Sequence, residues 1–518
     1  MQRVLLAAAI GLVCWWLGHY LPYPPQQHPL APGEQPYGPA ACRLLFVVGM
    51  TTSSWLLAAM PIAAASLLPL ALLPILGVRS TADVTVGYGH PILWLFGGGF
   101  VLAQAVERCG LHRRTALGIV AALGPHPRRL VLGFFLAATC ASMWINNTAI
   151  ALLLLPIGTV LVQRAASLGE LAPRAQANFG AAVMCAIAFG ATIGGMGSPI
   201  GTAPNALFFT NYEGLVANGA RPVSFLLWML AFAPYALLLS FLASQLITRI
   251  ALPLPGVRFA RGDELLREAR ALPPWRRAEV RTAVLFGVAV LLWTTRGDLQ
   301  LGPGSVVHGW AHYLVPPGER DRFLADGSVA VLVAIAAFLI PSGAPDRGRL
   351  VDWETVRRMP FDLLLLLGGG IAMAQAFDPT GLSGAFGELL RPLIGAVHPV
   401  WLLLVLILTV SMLSEVASNT AVATLLLPIV REGAVAADLD PLVLMLPVVI
   451  GASCSFMLPI ATPPNTIVFA SRQIGFGQMA RAGVGMNLLS ALLLLPVLWF
   501  WALPLCGVDT GALAGGGR

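Results

Sequence analysis

The chain has 518 residues, 57% of them hydrophobic and only 11% charged, and a formal net charge of +7. Soluble proteins carry roughly 25% charged residues, so the composition excludes a soluble globular protein and points to a polytopic membrane protein. All 31 basic residues are arginine, and no aromatic-interleaved basic patch accompanies them. This excludes a nucleic-acid surface and leaves arginine as a reporter of membrane topology.

Apolar runs at Val4 to Leu17, Leu130 to Met143, Phe225 to Leu246, Ala283 to Trp293, Val329 to Ile340 and Leu488 to Leu503 fit spans, or parts of spans, of about 20 residues. The 54 glycines and 40 prolines are spread through such runs, which predicts interrupted helices. The start, MQRVLLAAAIGLVCWW, has the charge pattern of a signal peptide but no clean cleavage site, and reads as a first transmembrane helix with Arg3 inside. A proline-rich external loop, 21–40, follows. Two helices over 43–77 are expected to meet near Met60-Pro61, and a fourth helix, 91–107, ends inside beside Arg108, Arg113, Arg114, Arg128 and Arg129.

The segment 130–163 carries the triplet Asn146-Asn147-Thr148 within SMWINNTAIALLLLPI. Each unsatisfied polar group in a bilayer costs several kcal/mol. Read as one span, the segment would invert every later loop and put the arginine-rich stretch 251–281 outside. Read as a re-entrant hairpin with the triplet at its tip, it keeps that stretch in the cytoplasm, in agreement with arginine enrichment there. A broken helix over 176–212 then crosses outward and 223–248 returns. In the second half, 283–297 exits, 298–325 is external, 326–341 enters and 361–377 exits. A second hairpin, 399–430, presents Ser418-Asn419-Thr420, a broken helix runs over 441–470, and 482–503 leaves the C-terminus outside.

The halves repeat. SEVASNTAVATLLLPI from Ser414 matches the first triplet segment, with a serine four residues before each triplet. LFGGGFVLAQA from Leu95 matches LLGGGIAMAQA from Leu366, and GTAPNALFF from Gly201 matches ATPPNTIVF from Ala461. Matching helices cross in opposite directions, so the fold is expected to be an inverted repeat with discontinuous helices, a transporter pattern. Beside each triplet lies an interrupted element, Gly194 to Asn205 and Cys454 to Asn465, where glycine and proline are expected to stop a helix and leave carbonyls free. Such oxygens are hard ligands suited to sodium, and free N–H groups at half-helix ends suit an anion.

Other features read as structural. The glycine triplets Gly97 to Gly99 and Gly368 to Gly370 suit close helix packing better than ligand contact. His308 and His312 in HGWAH have the spacing of a metal pair, but the glutamate of HExxH is missing and the loop is external, which weighs against a metal. Seven scattered cysteines form no CxxC. Glu415 is an ionisable group near the membrane interior, facing either that interior or an external vestibule. A membrane-embedded hydrolase would need a base beside a motif serine, and none of the eight histidines falls inside a predicted span near one.

These residues resemble the divalent anion sodium symporters. SLLPLALLPILG from Ser66, GLHRRTAL from Gly110, both triplet motifs and ATPPNTIVF carry the resemblance over nearly the whole chain. It implies an all-α, elevator-type transporter with about 11 transmembrane helices and two re-entrant hairpins, sitting as a homodimer in the bacterial inner membrane with its N-terminus cytoplasmic. The implied division is 1–40 first helix and loop; 41–129 scaffold of the first repeat; 130–250 its transport part; 251–281 cytoplasmic connector; 282–398 scaffold of the second repeat; 399–505 its transport part; 506–518 external tail. The implied coupling ion is sodium, with no organic cofactor, and the substrate a small dicarboxylate such as succinate, malate or fumarate. The first sodium site would comprise Ser142, Asn146, Asn147 and Gly201, and the second Ser414, Ser418, Asn419 and Ala461, with Gly201 and Ala461 acting through their carbonyls. Substrate carboxylates would meet Asn147, Thr148 and Thr202 on one side and Asn419, Thr420, Thr462 and Pro463 on the other. Asn146 departs from the family's serine and leaves sodium stoichiometry open. A sodium-independent exchanger and a sulfate carrier on the same fold are the alternatives.

Overall fold

Each helical hairpin opens on a His-Pro pair, where proline at the first helical position needs no hydrogen-bonded N–H and already has a helical φ. The first hairpin is Pro127–Ser142 followed by Asn147–Leu168, and the second is Pro399–Val416 followed by Asn419–Ala436. The computed structural model describes residues 2–23, 37–217, 220–256, 258–262, 273–302, 305–316, 323–344 and 347–514. Arg267 and Arg270 of the arginine-rich connector, most of the proline-rich loop and the end of the C-terminal tail lie outside the described residues.

After each hairpin comes a broken helix: Pro173–Met196 with Ala203–Ala217, and Leu442–Ala452 with Pro463–Ala470. A long helix then closes each half, Phe225–Leu246 and Phe476–Val497, and both run into a π-helical turn, Ile247–Ala251 and Leu498–Ala502. Among the described residues, six helices are long and apolar enough to cross a membrane. The apolar window of Pro173–Met196 is entirely buried, so this helix forms the interior of the larger core.

The halves are interlocked. The second piece of each broken helix packs on the other half's hairpin: Pro463–Ala470 lies against Asn147–Leu168 and Pro173–Met196, and Ala203–Ala217 lies against Asn419–Ala436. A smaller core gathers Leu44, Val47, Trp55 and Leu73 with Leu366, Met373 and Phe377. The glycine triplets serve packing: a Cβ on Gly98 would stand 2.4 Å from the Ala330 carbonyl oxygen, and one on Gly369 would stand 2.6 Å from that of Ser66.

Four details differ from the sequence reading. The prolines of the motifs do not end the first half-helices, which stop at Met196 and Ala452; Pro204, Pro463 and Pro464 lie at the start of the second pieces, where their lost N–H is harmless. Residues 43–77 form Pro39–Leu56 and two short helices, Ile62–Ala65 and Leu68–Ile75, rather than two long ones. Helices Thr81–Tyr88, Leu111–Leu123 and Leu382–Ala396 add to the expected set; each is too short to carry the hydropathy of a full span. Two short strand pairs that the sequence did not mark lie within the helical fold, Leu299–Gly302 with Ser305–Val307 and Pro341–Ala344 with Arg347–Arg349.

Candidate ion and substrate site

The hairpin tips meet the helix breaks as the motif spacing predicts. Ser142 Oγ donates to Asn147 Oδ1 at 2.7 Å, holding the tip of the first hairpin closed. A Cβ on Gly195 would stand 3.0 Å from the side-chain amide atoms of Asn147 and 3.1 Å from Thr202 Cβ. The Gly195 backbone lies tight against the tip, and Gly201 packs on Gly195 in turn, so Ser142, Asn147, Gly201 and Thr202 gather in one place in the first half. In the second half, the equivalent position is Ser455, whose hydroxyl donates to Asn419 Oδ1 at 3.1 Å.

The two breaks adjoin each other. Cys454 Sγ lies 3.9 Å from Met196 Sδ, and the rings of Phe189 and Phe456 meet edge to face at 5.3 Å. The inverted halves therefore bring their two motif sets to one region of the protein.

Not every expected ligand is equally placed. Asn146 Oδ1 caps the second arm of its hairpin, accepting from the Thr148 N–H at 2.8 Å. Its amide oxygen thus does the work of an N-cap, using one of two lone pairs. Ser414 is buried, whereas Ser418 and Pro463 are exposed. Thr462 caps Pro463–Ala470 by accepting from the Asn465 N–H at 3.4 Å, and Ala461 is buried with its N–H donating to the Leu458 carbonyl. Thr148 is half-buried and Thr420 is buried.

Two asparagines that end the GTAPN and ATPPN motifs have roles the sequence reading did not assign. Asn205 Nδ2 donates to the carbonyls of Gly195 and Ser198 at 2.9 and 2.8 Å, and Asn465 Nδ2 donates to that of Leu458 at 3.0 Å. Each pins the irregular backbone of its break. Among the described residues, Asn205 Oδ1, Asn465 Oδ1, Ser414 Oγ and Ser453 Oγ are buried without a hydrogen-bond partner. Buried oxygens are normally paired; of these four, Asn205 Oδ1 and Asn465 Oδ1 occupy matched positions of the two breaks, and such oxygens suit a bound cation of the hard, oxygen-seeking class.

Glu415 points into the protein itself rather than into an open vestibule. It is buried, and its carboxylate accepts four hydrogen bonds: from the N–H groups of Phe456, Met457 and Leu458 at 2.7, 2.9 and 2.9 Å, and from Asn487 Nδ2 at 2.7 Å. Those three N–H groups are therefore occupied and do not remain for an anionic substrate. Arg431, in the second arm of the second hairpin, is also spent. Its guanidinium bonds both carboxylate oxygens of Asp378, at 3.0 and 3.1 Å, then Glu432 at 2.6 Å and the Asn211 carbonyl at 3.2 Å. Two cavities of about 560 Å³ lie beside the helices Ala203–Ala217 and Pro91–Cys109, and neither is lined by the expected ligands.

Comparison with known proteins agrees with this architecture. The chain is 36% identical over 472 residues, 90% of its length and 87% of the relative's, to a sodium-dependent dicarboxylate transporter, SdcS, of Staphylococcus saprophyticus. It is 34% identical over 464 residues to the SdcS of Staphylococcus aureus, covering 88% of this chain and 85% of that one. The solved structure of the YdaH transporter of Alcanivorax borkumensis, described as having an unusual topology, matches 98% of this chain and 100% of its own, with a TM-score of 0.52 at 16% identity, a likeness of fold alone. Residues 30–508 match the family described as the sodium:sulfate symporter transmembrane region, and the chain belongs to that family of transporters rather than to any class of enzyme.

Proposed function

We propose that the protein is a secondary active transporter that imports dicarboxylates such as succinate, malate or fumarate by symport with sodium. The observation that carries this reading is the pair of helix breaks with matched, unpartnered buried oxygens, in a chain more than a third identical to a sodium-dependent dicarboxylate transporter. The first ion is held by Ser142, Asn146, Asn147 and the Gly201 carbonyl, and the second by Ser414, Ser418, Asn419 and the Ala461 carbonyl. Substrate carboxylates meet Asn147, Thr148 and Thr202, and Asn419, Thr420, Thr462 and Pro463. The hairpins and broken helices move as an elevator against a dimeric scaffold in a bacterial inner membrane, with the N-terminus cytoplasmic and the C-terminus external.

Charge balance supports sodium coupling. No basic residue lies in 130–163, 176–212, 399–430 or 441–470. A dicarboxylate carries about two negative charges at pH 7, and half-helix ends offer only about +0.5 each. The buried Glu415 accepts from three backbone N–H groups of the second break, which removes those donors from the substrate. Cations must supply the difference. Calorimetry on the purified protein is expected to detect succinate binding in sodium and none in choline or potassium, and proteoliposome uptake is expected to follow an inward sodium gradient. Asn146→Ser should keep or strengthen this dependence. Equal succinate affinity in sodium and choline would transfer the reading to a sodium-independent exchanger. The family description also names sulfate, and competition of sulfate against labelled succinate separates that carrier from a dicarboxylate one.

Asn419 and Thr420 test the division of labour. Asn419 faces Ser455 in the break and serves both ligands, so Asn419→Ala is expected to weaken apparent sodium and succinate affinity together, each by about tenfold, because linkage is reciprocal. Thr420→Ala is expected to weaken succinate with little direct change in the sodium dependence. Indistinguishable sodium titrations of the two variants would count against separate roles.

A further inference from the structure

The loop between helices Arg277–Thr294 and Asp326–Leu339 gathers three metal-ligating side chains that lie apart in sequence. In the antiparallel pair formed by Leu299–Gly302 and Ser305–Val307, Leu299 stands opposite Val307. Asp298 and His308 are the next residues outward, so the hairpin register itself sets them side by side at its open end. A 3-10 turn, Trp310–Tyr313, then brings His312 back over His308, with ring centroids 3.7 Å apart. Asp298 Oδ2 lies 3.4 Å from His308 Nδ1 and 3.8 Å from His312 Nδ1.

The arrangement is held from outside the three ligands. The Gly309 N–H donates to Asp298 Oδ1 at 3.0 Å, which turns Oδ2 toward both imidazoles. Gly309 sits so close to the backbone that a Cβ there would stand 2.2 Å from the Arg296 carbonyl oxygen. Trp310 fixes the turn to the preceding helix, its backbone N–H donating to the Thr295 carbonyl and its indole N–H to the Leu292 carbonyl, both at 2.9 Å. A carboxylate oriented by a backbone N–H is the outer support that metal sites use.

We propose that Asp298, His308 and His312 form a binding site for a divalent transition cation of the zinc class, separate from the sodium sites. One ligand atom from each residue lies within 4.8 Å of the others. Around a tetrahedral zinc with bonds of about 2.0–2.1 Å, ligand atoms stand about 3.3 Å apart, so the two distances to Oδ2 need little adjustment. Two imidazoles and one carboxylate are borderline ligands that favour zinc or its neighbours over calcium or magnesium. Three protein ligands leave a fourth position for water. The side chains are 29–43% exposed, so an ion can enter from solvent. Asp298 and His308 also line one of the 560 Å³ cavities, together with Arg221 and Glu213.

The test uses the purified full-length protein, with any affinity tag removed, titrated with Zn2+ by calorimetry and with Co2+ by its visible absorption. The expected result is one ion per chain and a tetrahedral cobalt spectrum. His308→Gln, His312→Gln and Asp298→Asn are each expected to weaken binding by at least about 10–100-fold, a loss already typical of changes in the supporting shell. His398→Gln, at the start of the second hairpin, is expected to leave it unchanged. Thermal denaturation without metal separates unfolding from ligand loss, because these substitutions lie in an exposed loop and should not shift it. Absence of stoichiometric zinc binding, or binding that all three variants retain, would overturn the proposal.

Discussion

Glu415→Ala is expected to be among the most damaging single substitutions in this protein. It strips four hydrogen bonds from one buried point, those of the Phe456, Met457 and Leu458 N–H groups and the Asn487 amide. Each orphaned buried donor costs about 1–3 kcal/mol, and bonds to a charged acceptor lie at the upper end. Partial relaxation and water entry reduce the sum, leaving an expected loss of about 3–6 kcal/mol. Glu415→Gln is expected to be milder, since its amide oxygen can keep the three bonds that reach Oε1 and its NH2 would oppose only the Leu458 N–H. The break at 453–462 carries Ala461 and Thr462, so sodium affinity should fall with stability. Thermal melting in detergent and the sodium dependence of uptake provide the measurements. A Glu415→Ala protein that melts and transports like the native one would show that the carboxylate does not hold the break.

Gly483→Ala is expected to disturb the same backbone from the opposite side. Its Cβ would stand 2.3 Å from Met457 Cα and 2.4 Å from the Phe456 carbonyl oxygen, both in backbone that cannot swing aside. Overpacking of a tight core costs about 1–3 kcal/mol and sometimes more, and the upper part of that range is expected here. Asn487 lies one turn further along the same helix, and its Oδ1 accepts from the Phe456 N–H at 3.2 Å. Helix Phe476–Val497 thus presents a glycine and an asparagine to one stretch of chain. Gly477→Ala is the control: nothing lies within 4 Å of its Cβ, so it should be neutral or stabilising by about 0.5–1 kcal/mol through reduced backbone entropy. Because Glu415 and Gly483 act on shared atoms, their double variant should be less destabilised than the sum of the singles. Equal melting temperatures for Gly483→Ala and Gly477→Ala would contradict the packing described here.

The halves stabilise their breaks differently. In the first half, Met143 stands where Glu415 stands in the second. There the Ser198 hydroxyl bonds the Met143 carbonyl and the Trp228 indole N–H bonds the Met196 carbonyl at 3.1 Å. Both breaks are pinned through carbonyls by the asparagine that ends their motif, and the second is held in addition through its N–H groups by Glu415. Substitutions at Glu415 and Asn487 therefore have no counterpart with the same chemistry in the first half.

Hydropathy, arginine placement and motif spacing along the chain mark the membrane class, the two hairpins, the two broken helices and the pairing of their motifs. The physical reason is that a bilayer tolerates polar triplets and proline-interrupted helices only where protein satisfies them, so each such element is conspicuous against an apolar background. Tertiary structure alone decided the rest. The exchange of half-helices between repeats depends on packing between segments hundreds of residues apart, which hydropathy does not encode. Glu415 was visible as an ionisable residue, but its partners are backbone N–H groups, which every residue except proline carries and no motif can mark. Asn205 and Asn465 were legible as motif letters, yet their unpaired oxygens appear only once their amide nitrogens are bound to the broken backbone. Asp298 joined His308 and His312 through a hairpin register, a relation set by hydrogen bonding between strands rather than by spacing along the chain.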